Sequence, residues 1–173
     1  MHENGASRTA IRVAARRAAH RILDRPPVFE DPLALAVVGA EAAAKAASET
    51  SPASLRAFLA ARSRFAEDEL ARAVERGVRQ YVVLGAGLDT LAYRNPHAAL
   101  GLRVFEVDHP ATQEWKRGRL RAAGIEIPGE TVFVAVDFER QSLAEALPSA
   151  GFRLAAPAWG IRAIGLPAVQ QKD

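Results

Sequence analysis

Apolar residues recur at helical spacing through residues 9–23, where Ile11, Ala14, Ala15, Ala18 and Ile22 form one stripe. Arg12, Arg16, Arg17 and Arg21 take much of the remaining surface, and Arg25-Pro26-Pro27 stops the helix. Asp31-Pro32 reads as an N-cap with proline at the first helical position and predicts an alanine-rich helix towards Lys45. Ser51-Pro52 repeats the device before a longer helix over 52–76, with Gly77 as its stop. The apolar face of that helix reads Leu55, Phe58, Leu59, Phe65, Ala66, Leu70, Ala73, Val74. Then the period changes. Residues 80–84, 102–107 and 131–136 are short, nearly continuous apolar runs of β-forming residues. Helical stretches over 90–93, 111–123 and 142–150 follow them in turn. Such strands alternating with helices predict a parallel sheet covered on both faces. Right-handed crossovers then give strand order 3-2-1, one half of a doubly wound α/β sheet. After Leu154 no clear fourth strand–helix unit is legible, so the C-terminal half of the sheet is expected to be missing. The chain thus divides into a helical region over 1–77, a Rossmann-like half-domain over 78–154 and an atypical tail over 155–173.

Composition narrows the function. The 173 residues are 49% hydrophobic and 25% charged, close to the soluble average, which argues against disorder, collagen-like repeats and coiled coil. The absence of cysteine excludes a disulfide scaffold, a thiolate zinc site and a cysteine nucleophile together. No uncharged apolar run reaches the roughly 18 residues that cross a bilayer. The opening MHENGASRTA has no signal-peptide stretch, so a cytoplasmic location and no membrane partner are expected. Net charge is +3, and residues 1–25 hold six Arg against Glu3 and Asp24. A basic amphipathic helix can bind RNA or a membrane, but a solvated face on an inward-packing helix explains the same pattern. Nucleic acid is therefore not expected as a partner. The histidines His2, His20, His97 and His109 show no metal-ligand spacing, and no metal is expected.

Three strand ends carry the candidate chemistry. In an open α/β sheet, ligands bind beyond the carboxyl ends of the strands, where strand order reverses. The first strand ends in Gly85-Ala86-Gly87, a turn nearly bare of side chains that admits close approach to the backbone. The second ends in Asp108, a carboxylate suited to accept from both hydroxyls of a ribose. The third ends in Asp137-Phe138, placed for an adenine amino group and an apolar ring contact. Each feature also has a structural reading: a tight turn for the glycines, a helix cap for Asp108, and closure of the loop towards Ser142 for Asp137. Their shared position favours the site.

A dinucleotide loop wants G-x-G-x-x-G, whereas this one runs Gly85-Ala86-Gly87-Leu88-Asp89-Thr90, with an acid and no third glycine. A carboxylate at Asp89 repels a pyrophosphate and suits a cationic sulfonium and amine. Electrostatics thus favours S-adenosylmethionine over NAD or FAD. Arg62 stands on the apolar stripe of the long helix, four after Phe58 and four before Ala66. It either snorkels past the edge or clamps a methionine carboxylate, for which a planar two-pronged donor is apt.

Several stretches resemble a known family: AAHRILDRPPVFEDPLA, AARSRFAED, GVRQYVVLGAGLDT, FEVDHPATQ and VAVDFER. Across about 7–154 they are similar to the bacterial S-adenosylmethionine-dependent methyltransferases of the leucine carboxyl methyltransferase-like family. The resemblance implies a class I methyltransferase (Rossmann-like), three-layer α/β fold. It places Arg62 and the loop Gly85, Ala86, Gly87 at the methionine end, Asp108 on the ribose, and Asp137 and Phe138 on adenine. It implies a small-molecule or carboxylate-bearing methyl acceptor, without identifying a catalytic residue. Family members continue well beyond this length. The phrase that follows Ala150-Gly151-Phe152 in them is replaced here by APAWGIRAIGLP, as a truncation or a shifted frame near Ala155 would produce. An inactive cofactor-binding remnant, or a partner of another chain through the open sheet edge, is the rival expectation, followed by an NAD-dependent oxidoreductase. Self-association at that edge is expected with it.

Overall fold

The protein is seen here as a computed structural model that describes residues 8–48 and 53–162; the expected cap at Ser51-Pro52 lies outside them. Helix α1 (Arg8–Leu23) buries Ala14, Ala15, Ala18 and Ala19 against Ala34, Val37 and Val38 of α2 (Ala34–Val38). Its small side chains allow the helices to approach closely. The single helix expected towards Lys45 is two, α2 and α3 (Ala40–Ser48), divided at Gly39. A Cβ at Gly39 would lie 2.5 Å from the Arg119 guanidinium, which packs there and donates Nε to the Val37 carbonyl at 2.9 Å. The helix starts at Ala34 with Leu33 at its N-cap, later than expected; Asp31 still accepts from the Leu33 N–H at 3.1 Å, but it is only 2% exposed and its other oxygen turns inward to Arg17 and Thr90.

Helix α4 (Ala53–Glu75) lays Leu70 and Val74 on the sheet. Of its expected apolar stripe, Leu59, Ala66, Leu70, Ala73 and Val74 are buried, joined by Ala60, whereas Leu55, Phe58 and Phe65 are exposed. The clasp at Asp24 joins α4 to α1, with Arg56 donating to both carboxylate oxygens and His20 Nδ1 at 2.8 Å. His20 Nε2 accepts from the Val28 N–H at 3.1 Å, which leaves the ring proton on Nδ1 for Asp24.

The sheet is four-stranded and parallel, in the order β3-β2-β1-β4. Strand β1 (Gln80–Leu84) pairs with β2 (Arg103–Asp108), and β2 with β3 (Thr131–Ala135), within a residue of the sequence expectation. Both faces are covered, which is why these strands are almost continuously apolar. On one face Tyr81, Val83 and Val104 meet α4, and α5 (Pro110–Ala122) follows β2 there; Gln113 Nε2 donates to the Glu106 and Val134 carbonyls at 2.9 Å. On the other face Val82, Phe105, Val107 and Val134 meet Leu143 and Leu147 of α6 (Leu143–Ser149). Phe152 closes that side edge-on to Phe105, with ring centroids 5.4 Å apart.

A fourth strand, β4 (Trp159–Arg162), corrects the expectation of a sheet ending at three. It pairs parallel with β1 on the side away from β2, with Gly160 opposite Val82. Its sequence WGIR has no apolar run, so its strand state comes from the open edge of β1 more than from local preference. Strand order therefore reverses at β1, and a crevice opens beyond its carboxyl end. The mixed α/β architecture, with three sequence-legible strands in order 3-2-1, is the Rossmann-like fold expected.

Candidate functional site

The loop after β1 folds back over the end of β2: the Gly85 and Ala86 N–H groups both donate to the Val107 carbonyl, at 2.7 and 3.1 Å. Asp108, the last residue of β2, then ties this loop down. Its Oδ2 accepts from the Gly87 N–H and its Oδ1 from the His109 N–H, each at 2.7 Å. The helix-capping role weighed for Asp108 belongs to His109, whose Nδ1 accepts from the Ala111 N–H at 3.2 Å. Gly87 has φ +49°, and a Cβ there would lie 3.0 Å from the Ala10 side chain of α1. Gly87→Ala is thus expected to cost about 1–2 kcal/mol in backbone strain, with crowding against Ala10 added, read as a lowered urea midpoint. A variant as stable as the parent would show that α1 does not press on this loop.

These elements enclose a cavity of about 240 Å³. Helix α1 lines it with Thr9, Ala10, Val13, Ala14 and Arg17, and α4 with Leu59, Arg62, Ser63, Ala66 and Glu67. Its floor is Tyr81, Val83 and the loop Gly85 to Asp89, and Leu91, Asp108, His109, Thr112 and Ile161 complete the wall. Of the residues expected at the site, Arg62, Gly85, Ala86, Gly87, Asp89 and Asp108 line this one cavity. Asp137 and Phe138 do not line it. They follow Val136, whose N–H donates to the Asp108 carbonyl at 2.9 Å, so they stand beside Asp108 at the neighbouring strand end. There Asp137 Oδ1 accepts from the Glu139 N–H, and Phe138 packs towards the α6 side of the sheet.

Charge inside the cavity is arranged in opposed signs. Burial pushes the Asp89 carboxyl up, but Arg17, Lys116, the Leu91 N–H and Arg94 outweigh it and hold the group below the usual carboxylate range. Asp89 is consequently an anion, with its side chain 32% exposed. Burial lowers the Arg62 guanidinium from its ordinary pKa, and the Asp89 charge opposes that shift. Arginine remains cationic even so. Burial raises both the Glu67 carboxyl, which Arg94 pairs, and the Tyr81 phenol. Among the described residues, no three His, Asp or Glu side chains are grouped to hold a metal, and no helix is long and apolar enough to cross a membrane.

Residues 10–163 match the family described as leucine carboxyl methyltransferase. The chain belongs to that family. Curated relatives agree with the match. Over 156 residues it is 40% identical to a "Putative S-adenosyl-L-methionine-dependent methyltransferase" of Mycobacteroides abscessus, covering 86% of this chain and 51% of the relative. A protein of the same description from Saccharopolyspora erythraea is 39% identical over 168 residues, covering 90% and 56%. The "Putative S-adenosyl-L-methionine-dependent methyltransferase YktD" of Bacillus subtilis is 44% identical over 93 residues, covering 54% and 31%. The chain spans about half the length of the first two relatives.

This family member also brings to its cavity residues that sequence reasoning did not find. Arg17, assigned to the solvated face of α1, is 7% exposed and lines the cavity. Glu67 and Tyr81 were not singled out either. The spacing signal was partly there: Ala10, Ala14 and Arg17 fall at i, i+4 and i+7, one helical face.

Proposed function

We propose that the cavity binds S-adenosylmethionine and that the protein is a methyltransferase acting on an oxygen or carboxylate acceptor. The observation that carries this reading is the convergence of Asp108, Arg62 and Asp89 on one cavity around a glycine loop. Asp108 suits the ribose. A carboxylate has about four acceptor places; backbone N–H groups take one on each oxygen, leaving one on each for the two hydroxyls. Arg62 presents a planar donor pair to the methionine carboxylate, and anionic Asp89 faces the ammonium. The same anion opposes a dinucleotide, whose pyrophosphate would meet it across this loop. The cavity of about 240 Å³ lies just under the roughly 300–1,000 Å³ of typical small-molecule sites. It fits the amino-acid and ribose portions, with adenine extending over the strand ends towards Asp137 and Phe138.

S-adenosylmethionine supplies, when bound, a methyl group on a sulfonium that leaves as a neutral thioether. The protein's own work is to orient that group towards the acceptor and exclude water, for which it needs neither a nucleophile nor a metal. Calorimetry with S-adenosylhomocysteine tests the reading. The parent protein is expected to bind, and Asp108→Ala to weaken binding about 10- to 100-fold, the loss of hydrogen bonds to a charged group. Folded parent protein that gives no heat would sink the proposal.

A further inference from the structure

The Arg17 side chain belongs to α1, yet its guanidinium works on the loop after β1. Nη2 donates to the Leu88 carbonyl at 2.8 Å, and Nη1 lies 3.6 Å from Asp89 Oδ2. From behind, Nε sits 3.0 Å from Asp31 Oδ2, an oxygen that also accepts from the Thr90 hydroxyl at 2.7 Å. The guanidinium is thus held on one edge by a buried carboxylate and presents its other edge to two consecutive residues of the loop. The second oxygen of Asp89 accepts from the Leu91 N–H at 2.9 Å. The Leu91 N–H thereby fixes one oxygen by a hydrogen bond, and the Arg17 charge lies at ion-pair distance from the other, in a carboxylate whose side chain remains partly open to the cavity.

Charge alone does not require this construction, because Arg94 and Lys116 also bear on Asp89. What Arg17 adds is direction. A planar guanidinium ion-paired with Asp31 and hydrogen-bonded to the Leu88 carbonyl keeps its charge beside the carboxylate in a set direction, as a flexible ammonium would not. The arrangement also couples α1 to the loop at two points, Arg17 at one end and the Ala10–Gly87 approach two turns earlier.

We propose that Arg17 is a positioning residue that aims the Asp89 carboxylate at the ammonium of the ligand's amino-acid tail, so that the site selects adenosyl ligands carrying such a tail. The inference rests on the cofactor reading given above. Arg17 touches the loop and acts on the ligand through Asp89.

Two probes separate this role from a general structural one: S-adenosylhomocysteine, which carries the amino-acid tail, and 5′-methylthioadenosine, which has the same nucleoside and sulfur without it. In Arg17→Gln, S-adenosylhomocysteine affinity is expected to fall about tenfold, the value of roughly one charge-assisted contact, while 5′-methylthioadenosine affinity stays within about twofold. Arg17→Lys keeps the charge but not the fork, and about a threefold loss confined to S-adenosylhomocysteine is expected. It carries the test if circular dichroism shows Arg17→Gln unfolded. Parallel loss of both ligands, or an Arg17→Lys protein that binds both as the parent does, overturns the inference. A parent protein that binds neither probe overturns the cofactor reading itself, which is a different result.

Discussion

Lys116→Met is expected to lower the unfolding free energy by about 3–5 kcal/mol, the cost of leaving a buried ion without its partner. Lys116 and Glu106 are each 1% exposed, and Nζ lies 2.7 Å from Glu106 Oε2. That same oxygen accepts from the Tyr93 hydroxyl at 2.8 Å, while the ammonium lies 5.2 Å from the Tyr93 ring centroid. The other oxygen, Oε1, is buried without a hydrogen-bond partner, so the carboxylate depends heavily on the one cation. Methionine fills much of the lysine's volume, which confines the loss mainly to charge. Burial already raises the Glu106 carboxyl in the parent, against the pull of Lys116. Without that pull the native carboxyl rises further, and folding takes up a proton. The sign follows by linkage: Glu106's own contribution to the variant's stability is fully present below the ordinary glutamate value of 4.5 and is lost as pH rises through its native pKa. Urea unfolding at pH 5 and pH 8 measures both effects. A further substitution, Glu106→Gln, should restore much of the loss at pH 8, because an amide needs no counter-ion. A loss under about 1 kcal/mol, or the same loss at both pH values, contradicts the argument.

The cavity was partly legible in the sequence, and the line between what was and was not follows sequence distance. Gln80–Leu84 stands out because a strand covered on both faces must be apolar at successive positions and must end where the chain turns at Gly85. Asp108 is legible for the same reason, since strand ends in a parallel sheet share an edge and position alone brings them together. Asp137 shares that edge, yet its place on the sheet does not carry it into the cavity. β4 was hidden because its pairing with β1 is supplied by a partner some 80 positions away, whereas WGIR itself carries no strand pattern. Arg17 was hidden for a related reason. A helix wheel shows that it borders the alanine face, but the acids that draw it inwards, Asp31 and Asp89, come from two different loops. The N-terminal half of α4 misled in the other direction, because periodicity at Leu55, Phe58 and Phe65 reports a shared face without saying what covers it.

Asp31→Ala is expected to cost about 3–5 kcal/mol as well, and to do so by loosening α1 from the rest of the molecule. Asp31 is 2% exposed and engages four groups: Arg17 Nε at 3.0 Å, the Thr90 hydroxyl at 2.7 Å, the Leu33 N–H at 3.1 Å and Arg94 Nε at 3.6 Å. Arg94 keeps Glu67 when Asp31 is removed. Arg17 keeps only the Leu88 carbonyl and the longer approach to Asp89, while its side chain stays 7% exposed. The penalty therefore falls on Arg17, which must stay buried with its charge poorly matched or pull α1 outwards to reach water. Asp31→Asn keeps one acceptor, for the Leu33 N–H, but loses the charge and turns an amide NH2 towards Thr90 and Arg17, so it should recover only a small part of the loss. Asp68→Ala is the control: its pair with Arg64 is exposed on both sides, 60% and 46%, and its loss should stay within about 0.5 kcal/mol. Urea unfolding ranks the three variants, and hydrogen exchange of α1 amides shows where the loss is felt. If Asp31→Ala proved no more harmful than Asp68→Ala, α1 would be held by its alanine face alone. The coupling of that helix to the glycine loop through Arg17 would then be geometry without consequence for stability.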